Sequence, residues 1–398
     1  MAANAAVLAD PRDFSVVLGG PLFQLFRKAH LSGDALELLR GRLILLVGLS
    51  WLPLLILCAV NGTLLGTQIA VPFLYDIEAQ ARFLLLIPLL VGAEIVVHQR
   101  LRFVASQFVQ RGLIPDADRR RFEAALDSTI RLRNSVVAEI IIIIFIYAVG
   151  LKLIWRQHAA VDVATWYAAP AAGEWTLSRA GVWYVFFSLP LTQFLLLRWY
   201  YRLFIWARFL WLVSRIKLRL MPTHPDHIGG LGFLGTATAA FAPLALAHGA
   251  FVSAFIASRI FLHHATLLDF KIVIIAVGVW TLILFLGPFL VFSPQLAQAK
   301  RQGERDYGPL TSHYSLQFDE KWVHTATPPD EPLLGSSDIQ SLADLANAYT
   351  VVKTMRATPI TRQAVVQLAA STLAPIAPLA LTMMPLGEAV KLLFGILT

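Results

Sequence analysis

Long apolar runs constrain the fold of this chain more than any other feature. They cover residues 43–60, 83–97, 136–155, 181–201, 231–256 and 272–292. A helix of about 20 residues crosses the ~30 Å hydrocarbon layer of a membrane. Charged residues make up 15% of the chain, whereas soluble domains contain about 25%. The sequence therefore predicts an all-α fold, a polytopic transmembrane helical bundle with six spans.

A seventh apolar run, 365–387, is interrupted by Pro375, Pro378 and Pro385. Because proline lacks a backbone donor, this run is predicted to form either a seventh span or a bent, re-entrant hairpin. The chain is then expected to have four parts: 1–42, a cytoplasmic segment with an interfacial helix at 21–31; 43–296, the six-span domain; 297–364, a cytoplasmic helical segment; and 365–398, the C-terminal span or hairpin.

Basic residues are concentrated in alternate loops. Segments 1–42, 98–134, 198–222 and 297–365 hold 5, 8, 6 and 7 Lys and Arg residues, which is 26 of the 33 in the chain. Since Lys and Arg are retained on the cytoplasmic side, this pattern predicts a multi-pass protein with a cytoplasmic N-terminus. The basic residues flank apolar runs instead of forming one patch, which excludes nucleic acid as a partner. The single cysteine, Cys58, excludes an intrachain disulfide.

One loop on the basic side is predicted to be an amphipathic helix. In residues 116–133, Phe122, Leu126 and Ile130 recur every four residues, and the arginines at 119–121 lie on the wetter side. Such an arginine face can meet anionic lipid.

The sharpest local motif is THPDHIGGLGFLG at 223–235, where the chain re-enters the bilayer. His224, Asp226 and His227 carry ligand types suited to zinc or another divalent metal, which is the one cofactor that the sequence suggests. The glycines would allow close backbone approach, and the N–H groups at the helix start could receive an anion. The alternative is a Pro-Asp turn with a helix cap and glycines for helix packing.

This motif resembles a Thr-His-Pro-Asp-x-x-Gly-Gly-Leu-Gly-Phe-Leu stretch of a family of bacterial inner-membrane proteins with no established activity. The resemblance extends to RWYYRLFIWARFLW at 198–211 and LLGSSDIQSLADL at 333–345. It implies an integral protein of the bacterial inner membrane, and it implies no catalytic residues.

Three ionisable residues lie inside the predicted spans. Glu94 and His98 are one helical turn apart near the cytoplasmic end of the second span, and Glu139 lies near the cytoplasmic end of the third. Intramembrane carboxylates are costly and usually face a cavity, a partner or an ion path. With the motif at 223–235 they predict a polar vestibule open to the cytoplasm. The alternative is pairing of the two carboxylates with neighbouring arginines at the headgroup layer, namely Arg100, Arg102 or Arg133.

Three functions are compatible with these features. The first is a channel or transporter for a small ion or solute, with Glu94 and Glu139 as cation or proton sites. The second is a membrane-embedded metalloenzyme that uses His224, Asp226 and His227. The third is a scaffold or sensor that contacts a partner through 297–363. No Walker loop or G-x-S-x-G elbow is present, so a non-enzymatic role is favoured. The lipid bilayer is the expected partner; the substrate and a homo-oligomeric state are left open.

Overall fold

The computed structural model describes residues 14–17, 19–20, 37–65, 69–150, 165–171, 174–324, 332–333 and 335–383. The interfacial helix expected at 21–31 and the end of the C-terminal run lie outside these residues. The described part is predominantly helical, which confirms the helical membrane fold in its coarse form. One small antiparallel sheet, β1 (Ala168–Ala171) and β2 (Glu174–Leu177), was not predicted.

The main helices of the described residues are numbered in chain order. They are α1 (Glu37–Val60), α2 (Ile77–Gln110, with a π-helical turn at Arg82–Leu86), α3 (Arg119–Arg133), α4 (Val136–Phe145, continued by a π-helical turn Ile146–Gly150), α5 (Arg179–Ser214, with a π-helical turn at Tyr184–Ser188), α6 (Leu234–Ala240), α7 (Ala242–His263), α8 (Lys271–Leu286), α9 (Ser293–Trp322), α10 (Ser337–Thr354) and α11 (Arg362–Leu373). Short 3-10 turns lie at Phe73–Tyr75, Asp116–Asp118, Leu267–Phe270, Gly287–Phe292 and Ala377–Met383.

Five described helices are long and apolar enough to cross a membrane: α1, α2, α5, α6 joined to α7, and α8 joined to α9. Two further pairs reach that length only across a bend, of 45° between α3 and α4 and of 52° between α11 and the turn Ala377–Met383. The number of candidate spans is therefore five to seven. Helices are the expected form here because lipid offers the backbone no other hydrogen-bond partners.

The outer surface of the bundle is apolar. In α4, Val136–Phe145 buries none of its residues, and Ile140, Ile141 and Ile144 are 49%, 59% and 61% exposed. Such a surface would aggregate in water, whereas it is the ordinary surface of a protein dissolved in lipid. The isoleucine run therefore belongs to the lipid-facing side of the bundle.

The two ends of the bundle differ in chemistry. The basic end comprises α3, the C-terminal parts of α2 and α5, and the loop 215–233. At the opposite end, the β1–β2 hairpin covers the loop before α2. Trp166 is fully buried there, donates to Asp76 Oδ2 at 2.9 Å and packs edge-on against Phe73. This arrangement ties two loops together where they leave the bundle.

Beyond the basic end, α9 and α10 form a projecting hairpin. The α9 helix continues from α8 through the 3-10 turn Gly287–Phe292, so no loop separates span from extension. Near the tip, Asp338 accepts from Lys321 Nζ at 2.8 Å and from Trp322 Nε1 at 3.0 Å. Near the base, Val352 is buried and lies beside Gly303. The two helices are thus antiparallel.

The C-terminal helix α11 is inserted between α7 and α8. Ser253 Oγ donates to the carbonyl of Pro375 at 2.6 Å, and the hydroxyls of Thr281 and Thr372 lie 3.0 Å apart. Further along, Leu379 is buried with Ile256 and Ala257, close to the loop at the opposite end. The chain therefore extends from the basic end at α11 to the level of the opposite end near Leu379.

Close packing of α7 on α11 depends on Gly249. A Cβ atom at this position would overlap the carbonyl oxygen of Thr372, whereas a Cβ at Gly278 of α8 would meet nothing within 4 Å. We expect Gly249→Ala to lower the stability by about 1–3 kcal/mol because α11 must move away. Thermal unfolding of detergent-purified protein measures the loss. Gly278→Ala is the matched control, and equal unfolding temperatures for the two variants would contradict this packing.

Candidate functional site

A buried cluster of charged side chains lies towards the basic end of the bundle. Glu94 accepts from Arg42 Nη2 at 2.6 Å and from Arg202 Nη1 at 2.8 Å, and Arg198 Nη1 lies 3.8 Å from the same carboxylate. Arg198 also pairs with Glu139, whose Oε1 lies 3.2 Å from Arg198 Nε. All five side chains are at most 12% exposed. The cluster joins four helices, α1, α2, α4 and α5.

The sequence predicted the two carboxylates but the wrong partners. Arg100 and Arg102 are exposed, and Arg133 donates to the main-chain carbonyl of Ser15 instead. The partners include Arg198 and Arg202, which the sequence analysis counted with the basic segment 198–222. The reason is that α5 does not end with the apolar run at residue 201 but continues to Ser214. Residues four apart on that helix share a face, and this face is turned inward.

The charge balance of this cluster disfavours a cation. Among the described residues, three guanidinium groups face two carboxylates, and both oxygens of Glu94 are within hydrogen-bond distance of an arginine. A cation entering here would be repelled by the excess positive charge and would have to displace an arginine. The geometry therefore does not support Glu94 and Glu139 as cation or proton sites. A buried excess of positive charge attracts anions instead.

Residues 14–17 and 19–20, here called the N-terminal segment, are inserted into this charged region. Arginine side chains donate to its main-chain carbonyls: Arg133 to Ser15 at 2.7 Å, Arg202 to Val17 at 3.2 Å and Arg198 to Gly19 at 3.3 Å. Hydrogen bonds from a charged donor are stronger than those between neutral groups. The excess positive charge is thus partly satisfied by carbonyl oxygens of the chain's own N-terminal part.

Side chains of the N-terminal segment complete the contact. Phe14, Val16 and Val17 are 1% exposed, and the Phe14 ring packs 4.9 Å from that of Phe209. Ser15 Oγ lies 2.9 Å from His98 Nδ1, which places the third predicted residue of the vestibule at this contact. The two predicted carboxylates and His98 therefore lie in one charged region, here called the charged recess, and the N-terminal segment packs into it. A polar vestibule open to the cytoplasm stays a prediction.

The motif at 223–235 forms a separate loop around one carboxylate. Asp226 Oδ1 accepts from the N–H groups of Ile228 at 2.8 Å and Gly230 at 3.1 Å, and Oδ2 accepts from Gly232 N–H at 2.8 Å. Gly229 and Gly230 have φ angles of 62° and 97°, and a Cβ on Gly232 would lie 2.9 Å from Asp226 Oδ2. Successive N–H groups curled around an anion form a nest. The sequence suggested that N–H groups here could receive an anion. In the structure, N–H groups of this loop donate to the carboxylate of the loop's own Asp226.

These bonds set the charge state of Asp226. Burial alone raises the pKa of the carboxyl, but the backbone N–H groups of Ile228, Gly232 and Gly230 outweigh it and hold the pKa below its usual value. The carboxylate is therefore the form that the loop requires at neutral pH.

The predicted metal site is not formed by this geometry. His227, at a φ of 57°, turns its ring towards α10, where Nδ1 lies 2.9 Å from Thr354 Oγ1. His224 Nδ1 lies 3.0 Å from Asp226 Oδ1, but that carboxylate already accepts three N–H bonds. Among the described residues, no three His, Cys, Asp or Glu side chains converge as metal ligands. The motif serves instead to fold the loop and, through His227, to hold the end of α10.

Comparison of the chain with protein-family models, with curated proteins and with solved structures finds no match in any of the three. The resemblance to a bacterial inner-membrane family stays a prediction. So does a scaffold or sensor role for 297–363.

Sequence reasoning missed Arg42, Arg198 and Arg202 as members of the site. For Arg198 and Arg202 a signal was present, because both lie within RWYYRLFIWARFLW, which has the length and apolar content of a continued helix. For Arg42 and the N-terminal segment the sequence holds no comparable signal. Their place is decided by contacts between residues more than 50 positions apart.

Replacing Asp226 tests the loop. In Asp226→Ala, three N–H groups lose their acceptor, and we expect a loss of about 1–3 kcal/mol at pH 7. Because the folded-state pKa is lowered, the carboxylate stabilises the fold above its unfolded pKa of about 4 and ceases to do so as pH falls through the folded value. The difference in unfolding temperature from the parent should therefore shrink below about pH 4. Asp306→Ala, at an exposed position, is the control, and a loss no larger than in this control would contradict the nest.

Proposed function

We propose that this chain is a membrane channel or transporter for a small anion, closed in the present state by its N-terminal segment. The observation that carries the proposal is the set of bonds from Arg133, Arg198 and Arg202 to carbonyl oxygens of that segment. Carbonyl oxygens carry partial negative charge, and these oxygens occupy the positions in which the arginines would bind an anion. In the part of the chain that the structure describes, arginines outnumber carboxylates at this depth, which selects against cations.

Opening of the pathway then means that the arginines exchange the carbonyl oxygens of the N-terminal segment for an anion. When the N-terminal segment leaves the recess, Arg198 and Arg202 lose carbonyl acceptors, and an entering anion replaces them. Glu94 stays bonded to Arg42 and Arg202 and keeps the arginines oriented. The described residues of the segment lie outside the helices, and arginine side chains from α3 and α5 hold them by hydrogen bonds that an anion can also accept. His98 and Ser15 form the contact between α2 and the N-terminal segment in this closed state.

We also propose that the protein crosses the bacterial inner membrane seven times, with a cytoplasmic N-terminus and the basic end inside the cell. The concentration of Lys and Arg in alternate loops supports this orientation. Packing of Leu379 at the level of the opposite end supports a seventh crossing in preference to a re-entrant hairpin. The resemblance of the 223–235 motif supports the bacterial location. The arrangement is compatible with a monomer or a homo-oligomer.

Ion flux from proteoliposomes tests the proposal. The parent chain should release chloride slowly, and Phe14→Asp should release it severalfold faster, because a charge beside Trp206 and Phe209 expels the segment. Leu316→Asp, at a 61% exposed position of α9, is the matched control and should behave as the parent. Potassium release should stay low in all three. Equal chloride release in all three, or potassium release that exceeds chloride release, would contradict the proposal.

A disulfide lock between the N-terminal segment and α2 gives a second flux test, in which the same folded protein is compared in the oxidised and the reduced state. Ser15 and His98 touch, so the pair Ser15→Cys and His98→Cys, with Cys58→Ser, should cross-link on oxidation. Chloride release should fall when the lock is oxidised and recover when it is reduced. Release that is unaffected by a fully formed cross-link would show that the segment is no barrier to the ion.

A further inference from the structure

A second basic feature lies outside the charged recess, between α3 and the end of α5. It is a pocket of about 630 Å³. Its walls include Arg121 and Arg131 from α3, Arg208 from α5 and Arg215 directly after α5, and its described lining residues include no Asp or Glu. We call it the arginine pocket. Four guanidinium groups around one cavity repel one another, so the pocket gains stability from an anionic occupant.

Arg208 gives the most specific indication of a ligand. Its Nη1 atom is buried and has no hydrogen-bond partner among the described residues. A buried guanidinium N–H without an acceptor costs free energy, and native proteins normally satisfy it. By contrast, Arg121 has a partner in Asp118 at 3.0 Å, and Arg215 stacks on the Trp211 ring at 5.0 Å. Arg208 thus places a buried hydrogen-bond donor in the wall of a basic cavity, and a ligand in that cavity could supply the acceptor.

The position of the pocket indicates which kind of molecule supplies the acceptor. Along α5 and its C-terminal cap residue Arg215, the side chains Phe204, Arg208, Trp211 and Arg215 follow one another at spacings of four, three and four residues, and therefore share one helix face. Phe204 and Trp211 are 57% and 46% exposed, as expected for a lipid-facing surface. Tryptophan favours the headgroup layer. The pocket therefore opens towards lipid at the height of the headgroups on the basic end.

We infer that the arginine pocket binds the phosphate group of an anionic phospholipid headgroup. Arginine suits phosphate because its planar fork can donate two parallel hydrogen bonds to two oxygens. In this arrangement Arg208 supplies the buried donor, and the exposed Arg121 and Arg131 approach the phosphate from α3. A bound headgroup would then join α3 to α5, next to the bend between α3 and α4. The inference is independent of the proposed anion pathway, because it concerns a different cavity.

Lipid retention by the detergent-purified full chain tests this inference. Native mass spectrometry would count molecules of phosphatidylglycerol or phosphatidylcholine bound after identical exposure. We expect selective retention of phosphatidylglycerol, reduced about fivefold for each arginine removed, in Arg208→Gln and in Arg131→Gln. Arg131 is exposed, so the second variant preserves the fold. The control is Arg305→Gln, an exposed arginine of α9 outside the pocket, which should retain lipid as the parent does.

Inorganic phosphate distinguishes a lipid from a soluble ligand. Millimolar phosphate should fail to displace bound phosphatidylglycerol, because the lipid is also held by its acyl chains. Displacement by phosphate alone would overturn the lipid assignment in favour of a free anion. Equal retention of the two lipids, or retention of phosphatidylglycerol that is unchanged in both pocket variants, would overturn the site itself.

Discussion

The pairing of Glu94 with three arginines is the interaction on which the rest of the structure depends. Moving a single charge from water into a protein interior costs several kcal/mol even after relaxation. Arg42, Arg198 and Arg202 are all nearly inaccessible, and Glu94 is the carboxylate that all three share. Since these groups come from α1, α2 and α5, their mutual satisfaction fixes how the three helices meet. Glu139 extends the same constraint to α4.

The same requirement accounts for the two irregular segments at the basic end. The N-terminal segment supplies carbonyl oxygens to arginines that the carboxylates do not fully neutralise. In the 223–235 loop the signs are reversed, since backbone N–H groups satisfy the carboxylate of Asp226. In both places non-helical backbone is tolerated because it pairs with a charge of the same chain. In the arginine pocket, the buried Nη1 atom of Arg208 has no such partner among the described residues, and this indicates an external one.

Much of the helical architecture could be predicted from sequence, because lipid imposes a simple rule on apolar runs. The amphipathic helix at 116–133 is confirmed, with Phe122 and Leu126 buried. The continuation of α8 into α9 was missed, since the rule says nothing about where a helix ends outside lipid. The β1–β2 hairpin was missed because AAPA has no alternating pattern of apolar and polar residues.

The candidate site was predicted less completely. Glu94 and Glu139 could be recognised as costly intramembrane charges. The partners of Glu94 are 52 to 108 positions away along the chain, and the partner of Glu139 is 59 positions away. No local spacing of residues encodes such contacts. The 223–235 motif carried residue types that suit a metal. It also carried an acidic residue followed by glycines four and six positions later, which is the pattern of the observed nest.

A double-mutant cycle on Glu94 and Arg202 tests the central claim most directly. Thermal unfolding would be compared for the parent, Glu94→Gln, Arg202→Met and the double variant, with the exposed Glu320→Gln as control. Loss of Glu94 alone should cost about 3–5 kcal/mol, because it leaves an unbalanced excess of buried positive charge. The double variant should be clearly less destabilised than the sum of the two single variants. If Glu94→Gln unfolds at the temperature of the control, or if the two losses simply add, the charged cluster does not hold this bundle together.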